Sequence, residues 1–215
     1  MNKTEKTYNI LLNDIVLGKL YQGQKLVEND LMQAYHISKT PLREALIKLE
    51  KNGLLKREIN RGFKIIRIGR KGAEEIYDLR ERLEGLSVRK TIENITEEKI
   101  QKLTKAINEM EFHVKSKNMD EYIKLDINFH TLLCELSGNE RLLEINKNLQ
   151  YQIKMLLKTS INLPGRGINL SFSEHKELYI AILSKDADKA EELIRKHIIK
   201  TKKAVLHHLD ILNSS

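Results

Sequence analysis

Tryptophan is absent from this sequence, cysteine occurs once, at Cys134, and proline twice, at Pro41 and Pro164. A single cysteine excludes an internal disulfide, so the chain must fold by burial alone, as suits a reducing cytoplasm. No apolar run approaches the roughly 18 residues of a membrane span, and the opening MNKTEKTYNI lacks the apolar region of a leader. No membrane partner is expected. Aromatic residues make up only 5% of the chain, so the core must rest on Leu and Ile. With 40% hydrophobic and 32% charged residues over 215 positions, what is present is a globular, helix-rich protein of one or two domains.

The net charge of +8 is unevenly placed. Residues 1–72 hold 15 Lys and Arg against 7 Asp and Glu, whereas residues 73–215 hold 23 of each. A basic segment beside a neutral one points to a polyanion-binding module joined to something else.

The basic third changes period twice. Tyr8, Leu11, Leu12, Ile15 and Val16 recur at helical spacing, ENDLMQAYH is a short second helix, and SKTPLREALIKLEK a third. In the third, Leu42, Ala45, Leu46 and Leu49 form the buried stripe, while Lys39, Thr40 and Arg43 fall on another face near the N-terminus. Pro41 suits the first helical turn, where a missing N–H costs little, and Ser38 or Thr40 can cap it. After Asn52-Gly53, two β-prone runs, 54–59 and 63–68, flank the turn Asn60-Arg61-Gly62. Three helices and a hairpin describe a winged helix-turn-helix. A recognition helix meets base edges through its first residues, so Arg43 suits a bidentate contact to guanine and Thr40 a base or phosphate.

Beyond the linker Gly69-Arg70-Lys71-Gly72 no strand is expected. Helical periodicity runs over 73–93, 97–117, 119–136, 140–160, 172–184 and 187–209, with Thr96 as a cap, Ser137-Gly138-Asn139 as a stop and restart, and LPGRGINLS as a loop. The expected fold is mainly α: a winged helix-turn-helix over 1–69, a linker over 70–76, and an all-α bundle of six to seven helices over 77–212.

The helical half carries a scattered constellation. Asp126 and His130 are four apart and share a helix face. His175 stands 10 residues before the turn at Lys185-Asp186 and His197 stands 11 after it, which puts both at one height in an antiparallel hairpin. Should both face the Asp126 helix, three imidazoles and a carboxylate converge, a set suited to Zn²⁺, Ni²⁺ or Mn²⁺. A lone helical histidine more often serves packing, and His36, His113, His207 and His208 are read that way.

Two resemblances add to this. The stretch GQKLVENDLMQAYHISKTPLREALIKLEKNGLLKREINRGFKII resembles the winged-helix domain of the GntR family of bacterial transcription regulators, matching at Ser38, Thr40 to Leu46, Gly53 and Asn60-Arg61-Gly62. The resemblance implies that Lys39, Thr40 and Arg43, with Ser38 at the helix start, approach the major groove, and that Arg61 and Gly62 bring the wing to the minor groove. Lys39 replaces the usual arginine and keeps the charge but not the planar fork, which favours a phosphate contact, or a shifted base preference, over guanine reading. The helical half resembles the FCD ligand-sensing domain of the FadR-like branch, through DINFH, SGN, the EH of SEHKEL, and AILSKDADKAEELIRKH. That resemblance implies a divalent metal on Asp126, His130, His175 and His197, a homodimer on palindromic half-sites of double-stranded DNA, and a small organic-acid effector. Members that bind fatty acyl thioesters lack this metal set.

Arg80 is the candidate anchor for the acid, since guanidinium pairs bidentately with carboxylate; a surface arginine paired with Glu84 is the alternative. Tyr77 and Asn128 are candidates to line the cavity. The expected function is therefore a ligand-responsive transcription factor, a repressor, and not an enzyme. A metallohydrolase with a DNA-binding appendage is the rival, but no general base or HExxH pattern supports it. In a third reading the metal is itself the signal, or purely structural. Cys134, flanked by apolar residues, reads as core.

Overall fold

The computed structural model describes residues 2–58, 62–160 and 167–214. The chain divides into two compact units, residues 1–69 with 151–159, and residues 70–150 with 160–215.

In the first unit α1 (Lys3–Val16) packs on α3 (Lys39–Lys51), and α2 (Glu28–Tyr35) lies between them in sequence. The expected stripe is the contact surface: Leu42, Ala45, Leu46 and Leu49 are fully buried together with Leu11 of α1. Ser38 takes the N-cap position of α3 but its side chain makes no capping hydrogen bond; the first turn is closed by Leu42 N donating to Ser38 O at 3.3 Å. Pro41, third in the helix, lies where intrahelical donors are not needed. The helix ends at Asn52, whose Nδ2 donates to Tyr8 Oη at 2.6 Å, and Gly53 then adopts φ +69°, a left-handed conformation that glycine takes without a Cβ clash.

The wing is β2 (Leu55–Glu58) paired antiparallel with β3 (Gly62–Ile65), with Leu55 opposite Ile65. Residues 59–61, including Asn60 and Arg61 of the expected turn, lie outside the described residues. A third strand, β1 (Lys25–Leu26), joins the other edge of β3 to give the order β1-β3-β2. A strand of two residues carries no readable period, so nothing in the sequence announces β1.

The second unit contains α4 (Arg70–Glu93), α5 (Glu97–Lys115), α6 (Met119–Leu136), α8 (Ile168–Leu183), α9 (Ala187–Ser214) and the first part of α7 (Glu140–Ser160). Residues 70–76, expected as a linker, are helical: α4 already starts at Arg70, because Ala73, Ile76 and Tyr77 continue its buried stripe and outweigh the two flanking glycines. α8 begins four residues before the expected start, and α9 runs past 209 to Ser214.

α4 and α9 lie antiparallel along their length, as a ladder of charges records. Asp78 pairs with Lys202 at 2.6 Å, Glu81 with Arg195 at 2.8 Å, and Arg89 with Glu191 at 2.7 Å. Gly85 sits in the middle, where a Cβ would meet Glu191 Cγ at 3.3 Å, so its missing side chain lets the two helices approach closely. This pair, with α6 and α8 against it, fixes α6, α8 and α9, the three helices that carry the constellation.

Candidate metal and effector site

Asp126 and His130 project from one face of α6, His175 from α8 and His197 from α9. The three histidines are buried, at 0%, 1% and 5% exposure, and one donor atom from each of the four residues lies within 4.8 Å of every other. His175 Nε2 stands 3.2 Å from His130 Nε2 and 3.5 Å from Asp126 Oδ1, and His130 Nε2 stands 3.8 Å from Asp126 Oδ2. The structure therefore brings together all four residues that spacing singled out.

What orients the rings was not legible beforehand. His130 Nδ1 lies 2.5 Å from Glu84 Oε2, His197 Nδ1 lies 2.8 Å from Glu174 Oε2, and His175 Nδ1 lies 3.4 Å from Tyr122 Oη. An ionised carboxylate only accepts, so wherever Glu84 and Glu174 are ionised His130 and His197 donate from Nδ1 and carry their lone pairs on Nε2. Each ring is thus held by its outer nitrogen with its inner nitrogen toward the cluster. The sequence offered small signals for these partners: Glu174 directly precedes His175, and Glu84 follows Arg80 by one turn. Phe129 closes the apolar side, its ring edge-on to His175 with centroids 5.1 Å apart.

Arg80 is not the surface residue of the alternative reading. It is 1% exposed on α4, with Nε donating to Glu84 Oε1 at 2.6 Å and its guanidinium 5.6 Å from the Tyr77 ring. Glu84 thus accepts from Arg80 with one oxygen and from His130 with the other. Arg80 Nη2 is buried with no hydrogen-bond partner among the described residues. Tyr77 is fully buried beside it. Asn128 is corrected: it is exposed and faces a groove between α5 and α6, because two residues from Asp126 and from His130 is more than half a helical turn away.

The electrostatics follow from burial and neighbours. Burial alone would raise the Asp126 carboxyl, but His175, His130, His197 and Arg80 outweigh it and hold the group below the ordinary carboxylate value. Burial dominates at Glu84, whose carboxyl lies above its usual value against the pull of Arg80. Burial would lower the Arg80 guanidinium, yet Glu84 and Tyr77 raise it, so it stays charged.

The donor set fits a divalent ion. The inner nitrogens of His175 and His130 stand 3.2 Å apart, a separation that a shared proton or a bound cation between them can occupy. Donors on one first-row ion at about 2.1 Å stand roughly 3–4 Å apart, and the His175–His130, His175–Asp126 and His130–Asp126 separations of 3.2, 3.5 and 3.8 Å lie in that range. Outer-nitrogen carboxylates are the usual support of such ligands.

The DNA-reading candidates lie together on the first unit. Ser38, Lys39, Thr40 and Arg43 are exposed at the N-terminal end of α3, which has no acidic residue in its first turn, and Gly62 is exposed on the wing. Arg61 lies outside the described residues. The helix start is thus free of the negative charge that would repel phosphate.

Comparison with known proteins divides the chain in the same sense. The model of the FCD domain matches residues 75–200, and that of the bacterial regulatory proteins of the gntR family matches residues 3–65. The chain is 31% identical over 194 residues to YdhC of Bacillus subtilis (strain 168), an uncharacterized HTH-type transcriptional regulator, covering 88% of this chain and 85% of YdhC. It is 24% identical over 201 residues to the HTH-type transcriptional repressor RspR of Escherichia coli (strain K12), covering 94% of this chain and 88% of RspR. Among solved structures it is similar to E. coli McbR/YncC with a TM-score of 0.81 over 96% of this chain and 98% of that one; at 21% identity this likeness concerns the fold.

Proposed function

The chain belongs to the GntR family of bacterial transcription regulators and carries an FCD domain, and from that premise we propose that it is a metal-dependent, organic-acid-responsive repressor. Its relatives and its fold are those of transcription regulators and not of enzymes. Among the described residues no helix is long and apolar enough to cross a membrane, and the proposed place of action is the cytoplasm.

The observation that carries the sensing half is the convergence of four donor atoms within 4.8 Å, with the outer nitrogens of His130 and His197 held by carboxylates. Asp126, His130, His175 and His197 would hold Zn²⁺, Ni²⁺ or Mn²⁺, which supplies a Lewis-acidic centre for an oxygen ligand. Arg80, charged, buried and with Nη2 unpartnered, would take the carboxylate of a small organic acid; Tyr77 packs behind it. On the output side, Arg43 would read guanine in the major groove, with Thr40 and Ser38 beside it. Lys39 would pair with phosphate, and Arg61 and Gly62 would enter the minor groove. Two copies of the chain would bind paired half-sites. The effector acts to the extent that it binds the DNA-competent and DNA-released arrangements with different affinity.

Thermal melts and operator binding, each with metal, with chelator, and with metal plus organic acids, test this. The expected result is stabilisation by metal, a further shift by an acid only when metal is present, and DNA release by that acid. Release by metal alone would make the ion itself the signal and sink the acid-sensing half.

A further inference from the structure

In the wing sheet Leu26 of β1, Phe63 and Ile65 of β3 and Leu55 of β2 are buried, so the alternate residues Lys25, Lys64 and Lys56 stand on the opposite face. The register sets these three side by side: Lys25 is opposite Lys64 across β1 and β3, and Lys56 is opposite Lys64 across β2 and β3. Residues directly opposite on neighbouring strands point to one side, so a row of three lysines crosses the full width of the sheet. At strand spacings of about 4.8 Å its Cα atoms span roughly 10 Å. Lys25 and Lys56 are exposed, with no ion-pair or hydrogen-bond partner among the described residues, and Lys64 meets Glu58 at 3.8 Å on the same face.

Such a row costs stability, because like charges directly opposite one another repel. Elsewhere on this chain exposed lysines sit one helical turn from a carboxylate, as Lys102 does from Glu98, Lys115 from Glu111 and Lys196 from Glu192. Lysine on an edge strand guards the open edge against pairing, which accounts for Lys25 and Lys56. It does not account for Lys64, because β3 is the central strand of the order β1-β3-β2 and Lys64 is paired on both sides. A polyanion laid across the face relieves all three charges at once.

We infer that this outer face of the wing sheet is a further DNA-contacting surface, an assignment that rests on the placement of the wing at DNA proposed above. Lys25, Lys64 and Lys56 pair with phosphates flanking the groove that the wing enters, and add affinity without reading sequence. DNA fits better than another polyanion on two grounds. The row belongs to the same unit as Lys39, Thr40 and Arg43 at the start of α3. Lys56 and Lys64 also stand two residues from Glu58 and Gly62, the pair that closes the ladder of β2 and β3, which is about 7 Å along a strand. A wing seated in a groove therefore brings the row to the backbone beside it. A duplex carries one negative charge for about every 1.7 Å of axis, so a row of roughly 10 Å faces several phosphates. Lysine, a point charge without a planar fork, suits that task.

Titration of the full-length protein over a series of salt concentrations, with a random-sequence duplex and with a duplex selected by the wild type from random pools, tests the inference. In the triple variant Lys25→Gln, Lys56→Gln, Lys64→Gln the slope of log K against log salt should fall in magnitude by about 2–3 on both duplexes, with the ratio of their affinities kept within about twofold. The variant should melt no lower than the wild type, because like charges no longer face one another across the strands. The control Lys102→Gln, Lys105→Gln, Lys115→Gln removes the same charge from α5 and should leave the slope unchanged. An equal fall in that control would reduce the effect to net charge and overturn the inference, as would an unchanged slope in the wing variant. Loss of binding confined to single-stranded RNA or to vesicles of anionic lipid, with the duplex slope unchanged, would give the face to another polyanion and overturn it too. Arg61→Ala separates the two readings. If Arg61→Ala lowers the slope and the triple variant does not, only the lysine row is wrong; if neither lowers it, the wing does not lie on DNA and both readings fall.

Discussion

His197 presents Nδ1 to Glu174 Oε2 at 2.8 Å, across the hairpin from α9 to α8, and Glu174 is itself held by Lys200 at 2.7 Å. The carboxylate thereby fixes the tautomer of a histidine 23 positions away and leaves its Nε2 toward the cluster. His130 is held in the same way by Glu84 of α4. The cluster is thus held from outside as well as assembled from within.

Glu174→Gln keeps an acceptor for His197 but removes the charge that strengthens it. Metal affinity is expected to fall by about 10–100-fold, measured by competition with a chromophoric chelator. His175→Ala, which removes a donor outright, should abolish the metal-dependent thermal shift while leaving non-specific DNA affinity intact. Unchanged metal uptake in His175→Ala would refute the proposed coordination.

Arg80→Lys separates acid binding from metal binding. Lysine retains the charge against Glu84 but lacks the second arm that Nη2 provides. Acid affinity should drop about tenfold or more at unchanged metal stoichiometry, read by calorimetry on the metal-loaded protein. An equal loss of both would assign Arg80 to holding Glu84 alone.

Arg43→Ala is expected to cost about 1–3 kcal/mol of discrimination between operator and random DNA, read in parallel titrations at one salt concentration. Lys39→Ala should instead weaken both kinds of site equally and lower the salt slope by about one. Equal weakening by Arg43→Ala would reduce it to a phosphate contact.

Alkaline pH should destabilise the fold. Burial pushes the Cys134 thiol up to about 12 from an ordinary 9.0, and burial with Asp14 beside it pushes the Tyr35 hydroxyl up to about 12 from 10.0. The folded chain keeps protons that the unfolded chain releases, so this stability is intact below about pH 9 and is lost as pH rises towards 12. Urea midpoints at pH 8 and pH 10.5 should show the fall. At pH 8 the buried Cys134 thiol should react with iodoacetamide only as fast as the protein opens. Rapid labelling of folded protein would contradict its burial.

The period of Leu42, Ala45, Leu46 and Leu49, the proline in the first turn of α3, and the confinement of the net positive charge to residues 1–72 are properties of the linear chain. They determined that the first third is a basic helical module with a wing, because helix faces and helix starts depend on neighbours three or four residues apart. The same local rule put Asp126 and His130 on one face, and turn symmetry put His175 and His197 at one height. Rotation about the helix axes is not local. Only the packing of α4 along α9, and of α6 and α8 against them, decided that the four face one another, that Arg80 is buried and not exposed, and that Asn128 looks away. Glu84 and Glu174 gained their role in the same step, since a carboxylate reaches a histidine 23 or 46 residues away only after the intervening helices have buried their apolar stripes.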